Sequence, residues 1–239
     1  MRVAWCVVRV ACCVEVAVAS RWSRWTQVLV ILLLPPALLS LVLRLMVTPA
    51  LVRWEYARAD FPPDPYGLSP AQRIQLAEAC LDYLSGAGIE RLAGISLGDR
   101  PAFTPRELAH MEDVKRVLWG LWGAGAAAGL LILGGTVALA VSPHARRRAP
   151  LALLGGGLLT MGLVAAVGLL MLLGWDTFFT GFHQILFSPG SWIFSYSDTL
   201  LRLYPERFWM DMGGVLVGGL LAGALLIAGG GFFWLRRLR

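Results

Sequence analysis

Charge is scarce in this chain: Asp, Glu, Lys and Arg make up 15% of its 239 residues, against 57% hydrophobic ones. Soluble domains carry roughly 25% charged residues. The composition therefore excludes an ordinary water-soluble domain and makes the bilayer the relevant solvent. Cysteine is equally sparse. Cys6, Cys12 and Cys13 fall in the first twenty residues and Cys80 stands alone, so neither a disulfide framework nor a metal-ligand pair of cysteines is indicated. None of the three histidines forms an H-x-x-x-H or H-E-x-x-H pair, which excludes the helical zinc motif. Catalysis by a serine or cysteine nucleophile is not expected either.

Long apolar runs are what the chain does have. Residues 28–47, 117–141, 151–173 and 213–235 are each long enough for the roughly 20 residues that cross a hydrocarbon core of about 30 Å. The last three runs hold no ionisable side chain, and the first holds only Arg44, close enough to an end for its long side chain to snorkel to the interface. The expected class is an all-α membrane protein with four transmembrane helices and a small extracytoplasmic cap. Along the chain this predicts a cytoplasmic leader over 1–25, a first span over 26–47 and a cap with two helices over 48–116. A second span over 117–141, an arginine loop over 142–150 and a third span over 151–173 follow. An aromatic-rich extracytoplasmic or re-entrant loop over 174–212 then leads to a fourth span over 213–235 and a tail over 236–239.

Arginine placement orients the chain. Arg21 and Arg24 precede the first span, Arg146, Arg147 and Arg148 fill the tight loop after the second, and Arg236, Arg237 and Arg239 follow the fourth. With four spans these share one side, the cytoplasm, so both termini are expected inside. The two opposite connections carry 14 of the 15 Asp and Glu residues. The net charge of +6 is thus a topology signal that anionic lipid accounts for, and it gives no support to nucleic-acid binding. Ala17-Val18-Ala19 has the look of a signal cleavage site, but cleavage there would invert the arginine rule. A leader, or a start assigned too far upstream, is the preferred expectation.

In the first outer connection Ser69-Pro70 with Gln72 has the form of a capping box with proline at the first helical position. Ile74, Ala77, Leu81 and Leu84 recur at helical spacing, and Gly86 and Gly88 end the run. A second helix is expected from Thr104, with Glu107 at the capping-box position, running on into the second span. Glu107, His110 and Asp113 then share one stripe. The second outer connection gathers Trp175, Phe178, Phe179, Phe182, Phe187, Trp192, Phe194, Tyr196, Tyr204, Phe208 and Trp209, with Pro189-Gly190 as its turn. That density exceeds an interfacial aromatic belt and reads as a lipid-contacting surface. His144 sits among the cytoplasmic arginines, whereas His110 and His183 lie near membrane boundaries in different outer connections. Two imidazoles are the usual means of moving protons near neutral pH, and neighbouring carboxylates can orient them. Interfacial hydrogen bonding accounts for them equally well, and a metal site using Asp113, Asp176 or Asp198 is a weaker reading.

Phe103–Val117 (FTPRELAHMEDVKRV), Gly181–Phe187 (GFHQILF), the following Trp192-x-Phe194, Asp198-Thr199-Leu200 and Tyr204–Trp209 (YPERFW) together resemble the bacterial lipoprotein intramolecular transacylase family. The resemblance runs from about the first span to the last. It implies an acyltransferase of the bacterial cytoplasmic membrane, with its site on the extracytoplasmic face and no cofactor. That enzyme moves the sn-2 acyl chain of a diacylglyceryl-modified lipoprotein to the amine of its N-terminal cysteine and leaves a lyso-form. It implies catalytic roles for His110 and His183. Glu107, Asp113, Asp176 and Asp198 are the candidate orienting carboxylates, and Trp175, Phe179, Phe182, Phe187, Trp192, Phe194 and Arg44 the candidate substrate or lipid contacts, with no metal. The expected partners are a lipid-modified protein and membrane lipid. The rival classes are a metal-dependent membrane lipid hydrolase, a transporter, and a non-catalytic membrane protein.

Overall fold

The structure is a computed structural model and describes residues 21–239; the expected leader falls largely on residues outside that range. Among the described residues four helices are long and apolar enough to cross a membrane: Arg21–Met46 (the described part of α1), Pro105–Val141 (α5), Arg148–Leu173 (α6) and Glu206–Arg237 (α9). Between them come α2 (Pro49–Tyr56), α3 (Pro70–Ser85), α4 (Ile89–Ala93), a hairpin of β1 (Ser96–Leu97) and β2 (Arg100–Pro101), α7 (Trp175–Leu186) and α8 (Thr199–Leu203). Pro35 and Pro36 lie inside α1 without ending it, as helix-breaking residues do where neighbouring elements re-satisfy the freed backbone groups.

These elements form two compact units. The first holds residues 21–39, 124–165 and 220–239. Its helices approach closely through glycine: a Cβ on Gly157 would lie 2.7 Å from the Ala224 carbonyl oxygen, and one on Gly231 2.7 Å from that of Pro150. With no hydrophobic force between helices in lipid, such backbone-to-backbone packing is what holds them. Within the triplet Gly229–Gly231 only Gly231 does this; a side chain at Gly229 or Gly230 would meet nothing. The buried Thr160 hydroxyl donates to the Gly156 carbonyl at 2.8 Å.

The second unit holds residues 40–123 and 166–219. Here α3 begins in the expected capping box, with the Ser69 amide donating to Gln72 Oε1 at 2.9 Å and the Gln72 amide to Ser69 Oγ at 3.3 Å. Its buried face carries Leu76, Ala77, Cys80, Leu81, Tyr83 and Leu84. Most of these pack with Leu92, Phe103, Met111, Leu200 and Leu203 into one apolar cluster. The face also buries Arg73. Its guanidinium donates to the carbonyls of Pro62 at 2.8 Å and Arg202 at 2.9 Å and lies over the rings of Tyr56 and Phe61. Asp64 accepts twice from Arg202, at 3.0 and 2.9 Å, and Tyr56 donates to the Leu203 carbonyl at 2.7 Å. The short α8 is thereby clamped from several sides.

α5 is one helix of 37 residues, as its sequence suggests, and about 55 Å long. Its charged start, Arg106–Arg116, precedes the uncharged run from Val117. The sequence reading falls short elsewhere. The segment after the third span is no open loop but contains α7, and α2, α4, α8 and the hairpin add to the two helices expected between the first two spans.

Candidate active site

Two helices, of which only α5 starts in a side-chain cap, bring the candidate side chains together in the second unit. α5 starts with the Thr104 amide donating to Glu107 Oε2 at 2.7 Å and the Glu107 amide to Thr104 Oγ1 at 3.3 Å, which fixes the turn that presents His110. α7 begins at Gly174 and carries His183 in its last turn. The ring centroids of His110 and His183 are 6.2 Å apart, with their planes inclined by 21°. One substrate group fits within reach of both.

Aromatic side chains enclose the pair. Phe179, Phe182, Phe187 and Trp192 lie 4.0, 5.3, 5.2 and 5.0 Å from the His183 ring, centroid to centroid. Phe187 and Phe194 lie 4.9 and 5.4 Å from His110. Trp175 stands one layer back against Phe179 at 5.9 Å. Arg44 is elsewhere, over the Trp122 ring at 5.0 Å.

The surroundings set the protonation of both rings. His183 Nδ1 is 2.8 Å from the Phe179 carbonyl oxygen. A carbonyl only accepts, so Nδ1 carries the proton and Nε2 keeps its lone pair. His110 Nδ1 is buried with no hydrogen-bond partner among the described residues. Burial, and then the neighbouring His183, push the His110 pKa down to about 4 against the opposing pull of Asp113. Burial lowers that of His183 too, partly offset by the Phe179 carbonyl. Both imidazoles are neutral at pH 7. The arrangement offers a base with a defined lone pair and a second imidazole beside it, both half-buried among aromatic rings.

The carboxylates expected to orient His110 do something else. Glu107 is fully buried, and its Oε1 accepts from the Leu200 amide at 2.7 Å, so it joins α5 to α8. Asp113 Oδ1 accepts from Arg116 at 2.8 Å. Its Oδ2 accepts from the Ser188 amide at 3.3 Å and the Ser191 hydroxyl at 3.2 Å. Asp198 accepts from the Ser195 amide at 2.8 Å ahead of α8. Asp176 shares a shallow polar groove on α7 with Thr177, Thr180 and Gln184. No hydrogen bond joins any of the four to either histidine among the described residues.

Sequence reasoning passed over three further features. Arg106 donates to the Ile193 carbonyl at 3.1 Å, and Thr199 Oγ1 donates to the Ala102 carbonyl. The first ties the 187–198 segment to the start of α5 and the second ties the start of α8 to the residue after β2, across sequence separations that no local pattern reveals. Gly94-Ile95-Ser96-Leu97-Gly98 has the letters of a nucleophile elbow, but Ser96 stands on the hairpin strand β1 rather than at a strand-to-helix turn. Among the described residues no three His, Cys, Asp or Glu side chains converge as metal ligands.

The pattern that defines the family described as lipoprotein intramolecular transacylase Lit matches residues 28–209. A protein of Aquifex aeolicus with no characterised function is 33% identical over 188 residues, which is 77% of this chain and 83% of that one. The fold is that of the membrane-integral lipoprotein intramolecular transacylase of Bacillus cereus, with a TM-score of 0.74 and 20% identity over 91% of this chain and 97% of that one. A variant of the same Bacillus cereus protein with alanine in place of one histidine gives 0.73 and 19% identity, over 94% of this chain and 99% of the variant.

Proposed function

The chain belongs to the family of lipoprotein intramolecular transacylases and is an acyltransferase of the membrane; on that basis we propose that His110 and His183 carry the transfer. The substrate is a lipoprotein whose N-terminal cysteine bears a diacylglyceryl thioether. Its α-amine has a pKa of about 8, and the neutral fraction attacks the sn-2 ester carbonyl.

The reaction needs no enzyme nucleophile, because amine and ester are on one molecule. Holding them in a reactive geometry is worth about 7–11 kcal/mol of barrier in well-oriented intramolecular reactions. As the N–C bond forms, His183 Nε2 takes the amine proton. The carbonyl oxygen becomes an oxyanion, which His110 stabilises among the aromatic rings. The C–O bond to the glyceryl oxygen then breaks, and the imidazolium returns its proton to that oxygen. An amide and a free sn-2 hydroxyl result, so atoms and charge balance. An imidazolium is disfavoured among the phenylalanine rings, and this makes it a willing donor at the second step.

The separation of 6.2 Å between two neutral imidazoles within one aromatic enclosure is the observation that carries this reading. In orientation, both termini are cytoplasmic and the aromatic side chains around the histidines lie on the extracytoplasmic face, at headgroup depth beside the acyl chains. Converting His110 and His183 separately to Gln tests the roles. Each variant, inserted in the membrane as wild type is, loses lyso-form product by at least a hundredfold in mass spectra of a reporter lipoprotein. Full activity in both would end the assignment.

A further inference from the structure

The aromatic wall beside the histidines is anchored by a side chain that hydrogen-bonds to neither of them. Asp113 is nearly buried and lies one turn along α5 from His110. Its Oδ2 accepts from both ends of the turn Ser188-Pro189-Gly190-Ser191, at 3.3 Å from the Ser188 amide and 3.2 Å from the Ser191 hydroxyl. The one Ser191 hydroxyl proton is shared between Asp113 and the Ser188 carbonyl, 2.9 Å away, and Gly190 takes φ +79°, which closes the turn. The residues flanking it are Phe187 and Trp192. Phe187 is 4.9 Å from the His110 ring and 5.2 Å from that of His183, and Trp192 is 5.0 Å from His183. Fixing the turn therefore fixes two of the walls on the reacting centre.

What those walls exclude follows from the chemistry. The base that deprotonates an amine deprotonates water as well, and water is far more abundant than a tethered amine. If water reaches the sn-2 carbonyl, its oxygen bonds to that carbon and His183 takes its proton. The glyceryl oxygen leaves with a proton, and a free fatty acid is released in place of an amide. We propose that Asp113 is a positioning residue that latches the Phe187–Trp192 wall and thereby keeps the enzyme a transferase; with the latch open the same histidines run a lipid hydrolase. This rests on the transacylase reading of the site.

The test follows two products from one diacyl lipopeptide: N-acylated lyso-form, and fatty acid released from sn-2. Asp113→Ala removes the acceptor. Ser191→Ala removes one of its bonds and leaves the buried carboxylate in place, so it reports even if Asp113→Ala fails to insert. Asp113→Asn keeps a carbonyl oxygen for Ser188 and Ser191 but loses the negative charge. Asp113→Ala is expected to raise the ratio of fatty acid to lyso-form at least tenfold, and Ser191→Ala about threefold. Asp113→Asn is expected to stay near the wild-type ratio. Wild-type ratios in both Ser191→Ala and a well-folded Asp113→Ala would overturn the latch while leaving the transacylase reading intact. So would a ratio in Asp113→Asn as high as that in Asp113→Ala, because the charge of Asp113 and not its hold on the turn would then govern the partition. If the wild-type enzyme makes no lyso-form at all, it is the transacylase reading that fails.

Discussion

Removing the Glu107 carboxylate should loosen the joint between α5 and α8 by an amount that its hydrogen bonds define. Both oxygens are used, one by the Thr104 amide at 2.7 Å and the other by the Leu200 amide at 2.7 Å, 93 residues away. The Leu200 amide is buried, and leaving it unpaired costs about 1–3 kcal/mol. The lost cap at Thr104, whose amide water can partly satisfy, costs about 0.5–2 kcal/mol. The central expectation for Glu107→Ala is a loss of about 3 kcal/mol. At roughly 2–4 °C per kcal/mol for a chain of this size, the melting temperature falls by about 6–12 °C. Glu107→Gln keeps one acceptor and should lose about half as much. Intrinsic tryptophan fluorescence during a thermal scan in detergent micelles measures this. A Glu107→Ala protein that melts within a degree of wild type would refute the reasoning, and it would mean that α8 is held without this bond.

Other perturbations have equally definite outcomes. Gly157→Ala puts a methyl 2.7 Å from the Ala224 carbonyl oxygen. Overpacking of that kind costs about 1–3 kcal/mol and should appear as a lower melting temperature, whereas the same change at Gly162, where a side chain meets nothing, should not. Glu55 is fully buried; burial and the neighbouring Asp211 carboxyl raise its pKa to about 7. The folded state therefore holds that proton longer than the unfolded chain, so this contribution to stability is complete below about pH 4.5 and is lost as pH rises through about 7. Melting temperatures measured at pH 6 and pH 8 should differ in wild type and converge in Glu55→Gln. The His110 and His183 pKa values are both lowered, so transfer should show no histidine limb above pH 6.5 and should rise toward about pH 8 as the substrate amine deprotonates. An inflection near pH 6.5 that disappears in a histidine variant would count against neutral, buried imidazoles.

What could be read from the sequence was what is local in it. Four apolar runs, two capping boxes, the Pro189-Gly190 turn and the continuity of α5 across its charged start are all encoded within a few residues of where they act. α7 was not legible as a helix, because Trp175–Leu186 is rich in aromatic residues and threonine, which are modest helix formers, and holds Gly181 inside. The hydrogen-bond partners of Glu107 and Asp113 are not legible in the sequence for a different reason. Their spacing from His110 suggested a contact along one helix face, while their partners, Leu200 and Ser188, lie 93 and 75 residues away. Arg73 shows the same limit. It is a charged residue on the buried face of α3, held by carbonyls and aromatic rings, and nothing near it in sequence announces that.

The central claim is that two histidines move an acyl chain within one lipoprotein. Its most direct test uses purified protein and a synthetic lipopeptide with an isotopic label confined to the sn-2 acyl chain, mixed with an excess of unlabelled lipopeptide that differs in peptide mass. The label should appear only on the amine of the peptide that carried it, in the wild-type enzyme, and nowhere in His110→Gln or His183→Gln. Label on the amine of the other peptide, or transfer undiminished in either variant, would contradict the account.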